Sequence, residues 1–226
     1  MDSTRRFHGI ASNTICRVGM NEDLCNRVFE VMNIAPSRLL NGVTTLDTNA
    51  GMVLVADPEL GLIWRVDTKS LTYATALQDG TMAPRETLNR LIDINGVRVW
   101  KDYVYYNNSL LQLICRVRMD RATGQAGGPY KVIAQGVLRD DFAVDQNGTI
   151  YAAEMTENVV TLVQLDGSQA VSAGNLNSTH VAGGKSAAFG RTEGARKVLY
   201  VTTNGGISAL VNGSIVEGEK VVAIEL

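Results

Sequence analysis

Short apolar runs recur along the chain at a nearly fixed interval. TICRVGM (14–20), LIWRVDT (62–68), LICRVRM (113–119) and VVTLVQL (159–165) are alike, and their third residues, Cys16, Trp64, Cys115 and Thr161, lie 48, 51 and 46 positions apart. A second series begins at Asn41 (NGVTTLD), Asn95 (NGVRVWK) and Asp140 (DDFAVDQ), with a divergent member at Lys185 (KSAAFGR), at spacings of 54, 45 and 45. Two series with one period predict a repeat architecture, in which each unit buries its faces against its neighbours.

Within one period the pattern is that of strands. Val97 to Trp100, Tyr103 to Tyr106, Leu113 to Val117 and Tyr130 to Ile133 are short and rich in β-branched or aromatic residues. Asn147-Gly148, Asp166-Gly167 and Asn212-Gly213 supply the turns between such runs. Four short strands per period make a blade, so the expected fold class is all-β, a β-propeller of four-stranded blades. Helical periodicity is confined to Asn21 to Met32 and Arg85 to Leu91, which disfavours a helical solenoid. The Gly-Gly and Trp-Asp signatures of kelch and WD propellers are missing. Four nearly whole blades are expected at 36–85, 86–136, 137–177 and 178–226, forming one domain, with residues 1–35 holding the outer half of another. That makes roughly four and a half blades, an open arc with an unpaired edge that invites self-association. A five-bladed ring closed in an unusual way is the alternative.

Composition narrows the partners. The 226 residues are 45% hydrophobic and carry 21 basic against 23 acidic side chains, a net charge of -2 without like-charge blocks. Nucleic acid and anionic membranes are therefore not expected partners, and a small neutral or polar ligand is. No window has the roughly 18 apolar residues of a membrane span, and Met1 to Ile10 lacks a signal-peptide core. Cys16, Cys25 and Cys115 have no CxxC spacing, so no zinc or redox motif is present. Sequons at Asn107, Asn147, Asn177 and Asn212 hint instead at a secretory ancestry.

Taken together, LLNGVTTLD (39–47), VLVADPELGLIWRVD (53–67), INGVRV (94–99), DDFAVDQNGTIYAAE (140–154), AAFGRTE (187–193) and VLYVTTNGG (198–206) resemble the gluconolactonase and senescence-marker-protein type of six-bladed propeller. The likeness is to the fungal, often secreted branch that includes hetero-Diels-Alderases of tropolone-sesquiterpenoid pathways, and it implies that about one and a half N-terminal blades are lacking.

Propeller geometry begins the innermost strands near Val43, Val97, Phe142 and Ala187 and places the residues opening the second series, Asn41, Asn95, Asp140 and Lys185, at one level of a central channel. Those ending the next strand out, Asp57, Asn108, Glu154 and Thr203, should form a rim above it. Amide and carboxylate oxygens suit calcium or magnesium. The resemblance implies that positions matching Asn41, Asn95 and Asp140 are metal ligands in metal-dependent members, with the aspartate also acting as base or nucleophile. Here Asp140 is followed by Asp141 rather than glycine, and Lys185 would repel a nearby cation. Three function classes follow. A cyclase of the hetero-Diels-Alderase type would require no cofactor and would use Asp140 and Lys185 as its catalytic groups. A lactonase or ester hydrolase would bind calcium at Asn41, Asn95 and Asp140. A binding module or inactive fragment would do neither.

Overall fold

The computed structural model describes residues 6–11, 13–19, 28–84, 93–136 and 138–226. They form five antiparallel sheets and, apart from a single 3-10 turn at Glu193–Ala195, no helix. The first sheet holds β1 (Arg6–Ala11), β2 (Thr14–Gly19) and β3 (Val28–Asn33). The second holds β4 (Val43–Asp47), β5 (Met52–Asp57), β6 (Leu62–Asp67) and β7 (Thr72–Gln78). The third runs through β8 (Ile94–Trp100), β9 (Tyr103–Asn108), β10 (Leu113–Arg118) and β11 (Lys131–Gln135). In the fourth are β12 (Arg139–Val144), β13 (Ile150–Glu154), β14 (Val159–Val163) and β15 (Gln169–Gly174). The fifth holds β16 (Gly184–Phe189), β17 (Val198–Thr203) and β18 (Lys220–Glu225). Strands that follow one another in sequence are neighbours in every sheet, which is the up-and-down meander of a propeller blade. The fold is a β-propeller.

The four expected innermost strands are present. β4 begins at Val43, whereas β8, β12 and β16 begin three residues ahead of the expected Val97, Phe142 and Ala187. Two expectations are corrected. Residues 1–35 hold three strands rather than an outer half, because Arg6–Ala11 pairs with Thr14–Gly19 ahead of β3. The helical reading of Asn21 to Met32 fails over Val28–Met32, where β3 pairs with β2. The rest of that segment, and Arg85 to Leu91, lie outside the described residues.

The chain divides into two compact units, residues 1–104 with 117–129, and residues 105–116 with 130–226. In the first, Val53 and Val55 of β5 join Ile15, Ile34, Leu40, Trp64 and Val66 in one core cluster, while Leu54 and Ala56 are buried on the opposite face of the same strand. The Trp64 and Tyr73 rings meet edge to face, with centroids 5.6 Å apart. In the second unit, Tyr151, Ala153 and Val160 pack with Val181, Ala187, Leu199 and Val201. Burying each branched aliphatic side chain contributes about 1.5–3 kcal/mol. Burial is deepest in the second and third strands of the sheets, and the outermost strands β7, β11 and β15 are largely exposed. The first repeated series was therefore readable because it marks the third strand, which is buried on both faces.

Candidate functional site

Three of the polar residues opening the second series, Asn41, Asp140 and Lys185, sit where the inner ladder loses step. In the second unit, Arg139 pairs with Glu154 and Phe142 with Ala152, so Asp140 and Asp141 together face Ala153. Gly184 pairs with Thr203 but Ser186 with Thr202, leaving Lys185 as the extra residue. In the first unit, Asn41 N–H donates to the Ala56 carbonyl (2.9 Å), while Ala56 N–H donates to that of Gly42 (2.8 Å), so again two residues face one. Such bulges bend a strand and re-aim its side chains, and they recur beside functional sites.

In the second unit the two bulges meet. Lys185 Nζ lies 2.7 Å from Asp140 Oδ2, and Ser186 Oγ donates to Asp141 Oδ2 at 2.7 Å. Asp141 Oδ1 accepts from the Phe142 N–H (2.8 Å). The Asp140 side chain is 10% exposed and that of Lys185 39%, so Lys185 is the more accessible member of the pair. The backbone beneath is held from the third sheet. Asn107 Nδ2 donates to the carbonyls of Arg139 (3.0 Å) and Asp140 (3.1 Å), and Ser109 Oγ donates to that of Arg139 (2.6 Å).

The residues expected at the rim are buried and engaged locally. Asp57 Oδ1 accepts from Leu60 N–H (3.1 Å) and its Oδ2 from the Trp64 indole N–H (3.0 Å), closing the β5–β6 hairpin. Asn108 Oδ1 accepts from Leu111 N–H (2.9 Å) and caps the β9–β10 hairpin in the same way. Thr203 Oγ1 donates to the Lys220 carbonyl at 3.4 Å. Glu154, one methylene longer than Asp57, instead lies 3.4 Å from Arg139 Nε, and both are sealed from solvent. The other end of the Arg139 guanidinium donates to Gln169 Oε1. Burial pushes the Glu154 carboxyl up to about 7 against the pull of Arg139, and burial lowers the Arg139 guanidinium against the pull of Glu154.

In the first unit the structure brings two further candidates together. Gly42 N–H donates to the Asn95 carbonyl at 3.1 Å, so the Asn41-Gly42 and Asn95-Gly96 segments touch. Asn41 is half-buried and Asn95 buried. For a cation, the decisive residue is Asp140, which already has an ammonium against its carboxylate; calcium there would have to displace Lys185 and meet its charge. Among the described residues no three His, Cys, Asp or Glu side chains cluster as metal ligands. At Asp140 the lysine thus competes with a divalent ion.

Sequence reasoning missed Arg139, Asn107, Ser109, Asp141 and Ser186 as parts of this arrangement. Asn107 and Ser109 carried a signal of another kind, a sequon, yet both side chains are buried. Asn147, Asn177 and Asn212 are exposed. Cys115 is buried and Cys16 half-buried, Cys25 lies outside the described residues, and His180 is exposed.

No protein-family model matches the chain. Two curated relatives do: one of Sarocladium schorii, 28% identical over 197 residues, and one of Phoma sp, 29% identical over 191, each match taking in 74% of this chain. Both bear the name hetero-Diels-Alderase. The chain spans about half of their length, 48% and 53%. Among solved structures it is similar to a luciferin-regenerating enzyme (TM-score 0.68, 15% identity, 98% of this chain and 74% of that one). It is also similar to regucalcin of Agrobacterium tumefaciens, titled a calcium-binding protein (TM-score 0.62, 16% identity, 89% and 65%), and to a streptogramin B lyase (TM-score 0.56, 11% identity, 95% and 62%). The resemblance read from the residues is borne out by the hetero-Diels-Alderase relatives and by the regucalcin-like fold.

Proposed function

We propose that this chain is part of a small-molecule enzyme of secondary metabolism, a cyclase of the hetero-Diels-Alderase type in which Lys185 and Asp140 face the reacting centre and no metal takes part. The observation that carries the reading is the 2.7 Å Lys185–Asp140 pair at two facing bulges, in which the lysine side chain is the more exposed partner. The names of the relatives support it.

In such a reaction a conjugated carbonyl, O=C–C=C, meets an alkene. One C–O and one C–C bond form together, π bonds are consumed, and no proton or redox equivalent changes hands. The protein therefore contributes positioning and polarisation. Lys185 donates a hydrogen bond to the carbonyl oxygen and withdraws electron density from the heterodiene. Asp140 holds the ammonium in place, so little reorganisation is needed as charge builds on that oxygen. A hydrolase would need Asp140 free to activate water beside a cation, and the ammonium opposes both.

The test follows cyclisation of a tropolone quinone methide with a sesquiterpene polyene, alongside hydrolysis of simple aldonolactones. Turnover of the first that survives EDTA, with no useful opening of the second, is expected. Calcium-dependent lactone opening that disappears in Asp140→Asn would overturn the reading in favour of a hydrolase.

A further inference from the structure

We propose that Asn107 and Ser109 are a positioning clamp that locks the Arg139–Asp141 bulge and thereby aims Asp140 at Lys185; this rests on the reading that the Asp140–Lys185 pair faces the reacting centre. A bulge interrupts the ladder, so the carbonyls at its base need other donors in a region closed to water. The structure supplies them from one neighbouring strand end. The Asn107 amide donates to the Arg139 carbonyl at 3.0 Å and to that of Asp140 at 3.1 Å. The Ser109 hydroxyl donates to the Arg139 carbonyl at 2.6 Å, and Asn107 Nδ2 lies 3.3 Å from Ser109 Oγ, which ties the two donors to each other. Neither side chain reaches solvent: Asn107 is 0% and Ser109 1% exposed.

Between them stands Asn108, whose side chain caps its own hairpin through Leu111 N–H. Alternate residues of Asn107-Asn108-Ser109 thus hold two different things, the neighbouring bulge and the local turn. The same triplet reads as a glycan acceptor in sequence. With the Asn107 amide buried against two carbonyls, its place in the fold is that of a brace. Asp140 follows the clamped Arg139 carbonyl directly and is itself held through its own carbonyl, so releasing the clamp frees the backbone that carries the carboxylate.

The experiment compares Ser109→Ala, Ser109→Thr and Asn107→Asp with the unaltered chain, by cyclisation kinetics and by crystal structures. Ser109→Ala and Asn107→Asp are expected to lower kcat about 10- to 100-fold, as small misplacements of a catalytic group do, with KM within about two-fold. Ser109→Thr keeps the hydroxyl and should restore kcat to within about three-fold of the unaltered chain. In the Ser109→Ala crystal the Asp140–Lys185 contact should lengthen or break. Unchanged kcat in Ser109→Ala with the bulge and the contact intact would overturn the clamp while leaving the cyclase reading in place. If the unaltered chain performs no cyclisation, that reading fails, and the Asp140–Lys185 distance in Ser109→Ala alone decides the clamp. Should Asn107→Asp not fold, the Ser109 pair of variants still gives the answer.

Discussion

The repeats opened by Asn41-Gly42 and by Asp140-Asp141 use one backbone device for two purposes. Both place two residues opposite one at the start of the innermost strand. In the first, the neighbouring backbone presses so close that a Cβ on Gly42 would lie 2.2 Å from the Asn95 carbonyl oxygen and 2.9 Å from Val97 N. In the second, the same rank holds a full aspartate, which reaches Ser186, while Asp140 reaches Lys185. The bulge sets the shape, and the space left beside it decides whether that shape carries charge. One repeat is neutral and tightly packed; the other is charged and accessible at Lys185.

The largest expected effect breaks the tight member of this pair. Gly42→Ala forces a methyl against backbone atoms that have no rotamer to change, and should destabilise the chain by about 3 kcal/mol or more, giving a low melting temperature or insoluble protein. A soluble variant that melts like the unaltered chain would mean that the Asn41 and Asn95 segments are not in close contact.

A smaller effect sharpens the contrast one strand further out, where Asp57 caps its own hairpin and Glu154 pairs with Arg139. Burial raises the Glu154 carboxyl from 4.5 to about 7 in the folded chain, so the native state binds that proton more tightly than the unfolded state. Its contribution is complete below pH 4.5 and is lost as pH rises to about 7, a decline on the order of 3 kcal/mol from this one group. Denaturant unfolding between those pH values should show the decline in the unaltered chain and not in Glu154→Gln. Parallel curves would place the titration elsewhere.

Much of the fold was legible because propeller strands advertise themselves. The runs at 62, 113 and 159 are third strands packed on both faces, so they read as continuous apolar segments. The turn at Asn212-Gly213 was equally plain, both residues having positive φ. The inner strands were placed three residues late at Ile94, Arg139 and Gly184; at the last two, polar side chains inside a bulged ladder look like loop. The segment Val28–Met32 was read as part of a helix although it is β-branched and paired. Of the candidate site, Asp140 and Lys185 were legible as matched ranks of a repeat. Their support was not, since Asn107 lies 32 positions before Arg139 and no periodicity links a brace to the carbonyl it holds. Nor does sequence separate Asp57 or Asn108, satisfied inside their hairpins, from Glu154, which one extra methylene carries past its own turn to Arg139.

The charged repeat is the centre of the account, and Lys185 is its accessible group. The most direct measurement is the cyclisation rate of Lys185→Gln, which retains a neutral donor for Asp140 but removes the charge proposed to polarise the carbonyl. Its kcat should fall about 100-fold while circular dichroism stays that of the unaltered chain. A folded Lys185→Gln variant turning over at the unaltered rate would contradict the account.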